Sequence, residues 1–127
     1  MRDIPVNLGG YRLMVTEEPQ MKMRLNDAGE QEPVVDRDGV AQFVVMLFAK
    51  AKPLPGVRSG RGEEIKVNLP ADPGDGFAEG TYVELVGAVV NTFEIPDKDD
   101  PRKIAQAGIW FKADGLKSLS KPVTEAA

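Results

Sequence analysis

The sequence predicts an all-β domain built as a small five-stranded barrel. Three observations carry this. Ten prolines and thirteen glycines in 127 residues interrupt the chain too often for long helices. Between them, apolar residues alternate with polar ones at the period of a strand. The run Glu79-Gly80-Thr81-Tyr82-Val83-Glu84-Leu85-Val86-Gly87-Ala88-Val89-Val90 has glycines near its start and at mid-length, the layout of a strand that must bend sharply. A barrel made of such bent strands removes most exposed sheet edges and needs no helix to hold it.

The elements follow in chain order. Tyr11-Arg12-Leu13-Met14-Val15-Thr16 alternates, with Tyr11, Leu13 and Val15 on one face. Glu17-Glu18-Pro19 breaks the pattern, and Met21-Lys22-Met23-Arg24-Leu25 resumes it, so a long first strand with a kink is expected. Asn26-Asp27-Ala28-Gly29-Glu30 is turn chemistry, Pro33-Val34-Val35 a short strand, and Asp36-Arg37-Asp38-Gly39 a tight turn. Residues 40–49, Val40-Ala41-Gln42-Phe43-Val44-Val45-Met46-Leu47-Phe48-Ala49, form the second main strand, apolar on both faces. Glu64-Ile65-Lys66-Val67-Asn68-Leu69 is the third, with Ile65, Val67 and Leu69 inward. The two make a hairpin whose long tip, residues 50–62, holds Lys50, Lys52, Arg58 and Arg61 and no acid.

Residues 70–76 carry two prolines and two glycines and are not a helix; Phe77 is expected to plug the barrel. The fourth strand follows, with Val83, Leu85, Gly87 and Val89 on the inner face and the bend at Gly87. Residues 96–103 form a charged tongue. In the fifth strand Ile109, Phe111 and Ala113 point inward and Trp110 and Lys112 outward. A single domain over residues 1–119 and a flexible tail over 120–127 are expected.

Composition excludes several kinds of chemistry. Without cysteine there is no disulfide, thiolate zinc site or cysteine nucleophile. Without histidine the commonest metal ligand and neutral-pH proton carrier are missing, and Ser59 and Ser118 have no histidine to activate them. Asp97, Asp99 and Asp100 lack the glycine and terminal glutamate of a calcium loop, and the glycines of residues 56–62 lack the lysine and helix of a phosphate loop. No enzyme, metal or cofactor is expected. No run nears the length of a membrane helix, and Met1-Arg2-Asp3-Ile4-Pro5 has no apolar signal core, so a cytoplasmic location is expected.

The run from Glu79 to Val89 resembles the fourth strand of bacterial single-stranded-DNA-binding proteins: a glycine, two residues, then alternating apolar residues up to a second glycine. Ile109-Trp110-Phe111-Lys112-Ala113-Asp114-Gly115-Leu116 resembles their fifth strand, and the charged segment between matches their long hairpin. The resemblance covers residues 79–119, about a third of the chain. It implies an OB-fold barrel that binds single-stranded DNA with little sequence preference, self-associates as a dimer or tetramer, and acts in replication, repair or the maintenance of a plasmid or conjugative element. Two features depart from that family. Residues 70–76 stand where a helix is usual, and residues 120–127 are not an acidic, glycine-rich tail.

On such a barrel Lys50, Lys52, Arg58 and Arg61 would clamp the phosphate backbone. Trp110 and Phe48 would stack bases, and Arg24, Lys66 and Lys112 would line the groove. Tyr82 is assigned to the rim, and Phe43, Phe77 and Phe111 to the core. The bland alternatives are a solvated loop for the basic tip, and core or subunit packing for the two aromatics. The formal charge of −4 leaves a second function open: a protein-assembly module of the same fold, with residues 40–49 as its interface.

Overall fold

The structure, a computed structural model, describes residues 2–58 and 60–119, and these form strands and turns with no helix. The strands are β1 (Ile4–Pro5), β2 (Tyr11–Met21), β3 (Met23–Leu25), β4 (Gln31–Pro33), β5 (Phe43–Ala51), β6 (Glu63–Leu69), β7 (Tyr82–Val86), β8 (Val89–Pro96), β9 (Ile104–Lys112) and β10 (Gly115–Ser118). Eight make one sheet in the order β1-β8-β9-β6-β5-β2-β7-β10, and β3 with β4 forms a separate two-stranded arm. Neighbours run antiparallel except β6 and β9, which are parallel. The sheet is open between β1 and β10, which share no ladder among the described residues.

β7–β10 come from one bent hairpin. Val86 pairs with Gly115 and Val89 with Lys112, so each side skips two residues and the register survives the bend. Gly87 sits at the corner with a φ of 64°. A side chain there would meet both a left-handed backbone and the Asp114 carboxylate. The Asp114 N–H donates to the Val86 carbonyl at 2.7 Å and pins the corner. Gly87 is therefore exposed and not on the inner face as its alternation implied, because the backbone turns over at that residue. Beyond the corner the two halves part. β7 joins β2, and β9 joins β6, so one hairpin holds both flanks of the β2-β5-β6 unit.

The break at Glu17-Glu18-Pro19 is an irregularity inside β2, not an interruption. The β2–β5 register shifts between Val15 and Glu17 and again between Glu17 and Gln20. Extra residues of this kind bend and twist a strand. The inner face of the bent sheet gathers Leu13, Val15, Val45, Leu47, Ala49, Val67, Leu69 and Val83, closed by Ala113 and by Phe77 from the 70–81 loop. Phe43 and Phe111 pack against this cluster as expected. Each valine or leucine fully withdrawn from water contributes about 1.5–3 kcal/mol. Asn91, the one buried polar side chain described, is satisfied by Asp3: the Asp3 N–H donates to Asn91 Oδ1 at 2.8 Å, and Asn91 Nδ2 donates to Asp3 Oδ1 at 3.0 Å.

Three local expectations change. The short strand is Gln31–Pro33, while Val35 bridges Ala41 across the Asp36 turn. Asp36 Oδ1 accepts the N–H groups of Asp38 and Val40, which keeps Val40 in that turn and delays the apolar strand to Phe43. That strand is buried on one face only, since Phe48 on the other is 36% exposed. Ile109 is 58% exposed and not inward, because β6 accompanies β9 only at Phe111 and Lys112. Past that point Ile95 and Ile104 of the β8–β9 arm are exposed as well. Residues 120–127, the expected tail, lie outside the described residues.

Candidate functional site

With Leu47 and Ala49 buried, strand alternation turns Phe48 and Lys50 of β5 outward. The same rule turns out Arg12 and Met14 of β2, Lys66 and Asn68 of β6, and Trp110 and Lys112 of β9. Register then fixes who stands beside whom. Arg12 pairs with Lys50, and Met14 with both Phe48 and Tyr82. Met46 pairs with Lys66, Val44 with Asn68, and Asn68 with Lys112. Lys66 stands on the same outward face, two residues before Asn68 on β6. The result is a continuous outward face crossing β7, β2, β5, β6 and β9.

Two depressions lie at the ends of this face. Arg12, Met14, Phe48, Lys50 and Tyr82 line the first, of about 290 Å³. Here the Phe48 ring lies over Gly62, where a Cβ would collide with it. Glu64, across from Phe48, accepts a hydrogen bond from Thr16 Oγ1 at 2.9 Å. Lys22, Asp36, Gln42, Asn68, Leu69, Pro70, Trp110 and Lys112 line the second, a cavity of about 470 Å³.

The wall of this cavity is fixed by main-chain hydrogen bonds from three separate segments. Lys22 N–H donates to the Gln42 carbonyl at 2.7 Å, Gln42 N–H to the Val34 carbonyl at 2.8 Å, and Val34 N–H to the Lys22 carbonyl at 2.8 Å. On the opposite side Ala113 N–H donates to the Asn68 carbonyl at 3.0 Å. Trp110 and Lys22 are half-buried, while Lys112 is exposed. Asn68 Oδ1 is buried with no hydrogen-bond partner among the described residues. A buried carbonyl left in that state costs about 1–3 kcal/mol relative to a paired one.

The predicted residues divide into groups. Trp110 and Lys112 meet in the large cavity. Phe48 and Lys50 meet in the smaller depression, and Lys52 joins Arg12 and Tyr82 in an adjoining one. Lys66 lies between the two ends. Arg58 and Arg61 are exposed on the 52–62 tip, where Leu54 and Val57 bridge and Ser59 lies outside the described residues. Arg24 is set apart. It lies on the β3–β4 arm, opposite Glu32 in the ladder, and its Nε donates to Glu32 Oε1 at 3.1 Å. Among the described residues Lys50, Lys52, Arg58, Arg61, Lys66 and Lys112 form no ion pair.

Sequence reading missed Arg12, Met14, Lys22, Gln42 and Asn68. Outward alternation was the available signal for Arg12, Met14 and Asn68. No local pattern marks Lys22 or Gln42, which depend on how the arm docks. Two acids of the tongue have structural partners: Asp97 Oδ1 accepts from the Asp99 N–H, and Asp100 Oδ1 from the Arg102 N–H. Among the described residues no three acidic side chains gather as metal ligands.

Comparison with family models, with curated proteins and with solved structures finds no match, so only the chain's own residues bear on its function.

Proposed function

We propose that this chain binds single-stranded DNA on its outward face, without catalysis and with little overall sequence preference. One observation carries the reading: Trp110 lies at one end of a lysine-bearing face, and Phe48 with Tyr82 lies at the other. Aromatic rings accept bases of any kind, at about 1–3 kcal/mol per stacked base, and unpaired lysines meet the phosphates between them. From β7 to β9 the face crosses four inter-strand steps of about 4.8 Å, about 19 Å in all. That span suits a short single strand, and the 52–62 tip extends it with Arg58 and Arg61.

The pairing pattern supports an OB-type barrel as the scaffold. Taking β7–β8 as one bent strand and β9–β10 as another leaves five main strands. Their ladders run β2 to β5, β5 to β6, β6 to β9, through the hairpin to β7, and back to β2. A five-stranded, partly open barrel has such a circuit. Part of the net charge of −4 sits in turns and loops, which hold Asp27, Asp38, Asp72, Asp75 and Asp99, while Asp36 and Glu64 stand at the face itself. A role in replication, repair or plasmid and conjugative-element maintenance in the cytoplasm, as a dimer or tetramer, completes the proposal.

Fluorescence anisotropy of labelled oligonucleotides tests it. Binding to single strands, weaker binding to duplex, and steep weakening with salt are expected. Equal binding to duplex, or none at low salt, would overturn the proposal.

A second reading draws on a different surface. Met23, Leu25, Val35 and Val40 leave the β3–β4 arm and the adjacent turn with exposed apolar side chains, Leu25 at 67%. Such an arm suits an assembly module. Solution mass with and without oligonucleotide separates the two, since an oligomer indifferent to DNA favours assembly.

A further inference from the structure

The cavity beside Trp110 holds more than a stacking ring. A surface that only stacks bases needs an exposed aromatic and nearby cations. Here the ring is half-buried, and the walls carry two side-chain amides and a carboxylate, with Pro70 beside them. At about 470 Å³ the space falls within the roughly 300–1,000 Å³ of small-molecule pockets. Asn68 Oδ1 is buried beside it and accepts from no described donor. An amide presents one acceptor and two donors side by side, the arrangement that pairs bidentately with an amino group next to a ring nitrogen.

We infer that this cavity receives one base bearing an exocyclic amino group, adenine, cytosine or guanine, with its face on Trp110 and its edge on the Asn68 amide. The inference rests on the single-stranded-DNA reading and adds base selectivity at one position of the bound strand. A turn of the Asn68 side chain brings Oδ1 to the amine and Nδ2 to the ring nitrogen. Asp36, one oxygen of which already caps the 36–40 turn, offers a further acceptor to an amine and repels a carbonyl. Thymine can turn its N3–H and one carbonyl to the same amide, so discrimination against it falls to the Asp36 carboxylate. Lys22 and Lys112 lie at the same cavity and take the adjoining phosphates.

Trp110 is the only tryptophan, so its fluorescence reports the cavity directly. The test titrates the full chain with oligo(dC), oligo(dA) and oligo(dT) of one length at one salt concentration, and with dCMP and dTMP. Oligo(dC) is expected to bind at least about fivefold tighter than oligo(dT), the low end of what one bidentate contact gives. Asp36→Asn, which keeps an oxygen for the 36–40 turn, is expected to bring that ratio near one. Equal or tighter oligo(dT) binding by the unaltered chain overturns the inference and leaves the DNA-binding reading standing, whether or not the variant folds. A Trp110 response to dCMP and not to dTMP, with no oligonucleotide bound, supports the pocket and overturns the strand reading. No response to any of these probes overturns both.

Discussion

The basic tip and the Trp110 cavity stand at opposite extremes of construction. The tip, residues 52–62, is one continuous loop. Its cations are exposed and form no ion pair among the described residues, and its only described bridge joins Leu54 to Val57. The cavity is assembled from Lys22 between β2 and β3, the 34–42 turn region, β6 and β9, and main-chain hydrogen bonds lock its wall. Loose charge attracts phosphates at any register, whereas a ring and polar side chains carried on a fixed wall select what lies against them. The first supplies salt-dependent affinity and the second supplies contact with bases.

Separating these two contributions gives the largest expected effect. Replacing Lys50, Lys52, Arg58 and Arg61 together by alanine removes up to four phosphate contacts. The log–log salt dependence of binding is then expected to fall by about 3, at about 0.7 per contact on a single strand. Low-salt affinity is expected to drop by about 100-fold, read by anisotropy, while the Trp110 response at saturation persists. A changed saturation response with an unchanged slope would break the division between the two regions.

Trp110→Ala should act in the opposite sense. Affinity is expected to fall roughly five- to 150-fold, the value of one stacked base, with the salt slope unchanged. A drop in slope would mean that the ring acts through Lys112 and not on the base.

Gly87→Ala tests the scaffold that carries both regions. A left-handed non-glycine residue costs about 1–3 kcal/mol, and the added methyl also displaces Asp114. Denaturant unfolding should show that loss, while the folded fraction retains affinity. Unchanged stability would show that the corner is not held by this glycine.

Arg24→Ala is the smallest expected effect, within twofold in affinity, because Arg24 pairs with Glu32 on the separate arm. A larger loss would extend the binding face to the arm.

How much of this was legible in the sequence follows from range. The tip was readable because its four cations are neighbours in the chain. Trp110, Lys112 and Lys66 were readable as outward because alternation is a local rule, and the bend at Gly87 because few residues tolerate it. The inner face assigned to Gly87 was not correct, since alternation stops applying where φ turns positive. Ile109 was misplaced for a related reason: alternation says which residues share a face, not whether a second layer covers it. The cavity escaped because Lys22, Gln42 and Asn68 meet only through the docking of an arm by long-range main-chain bonds. Arg24 looked equivalent to Lys66 in the sequence and was separated from it by the same docking.

The most direct test of single-stranded-DNA binding on the outward face is a titration of Trp110 fluorescence with a single-stranded oligonucleotide across a salt series. The expected result is saturable quenching whose midpoint moves steeply to higher concentration as salt rises. An emission spectrum unchanged by oligonucleotide at low salt would contradict it.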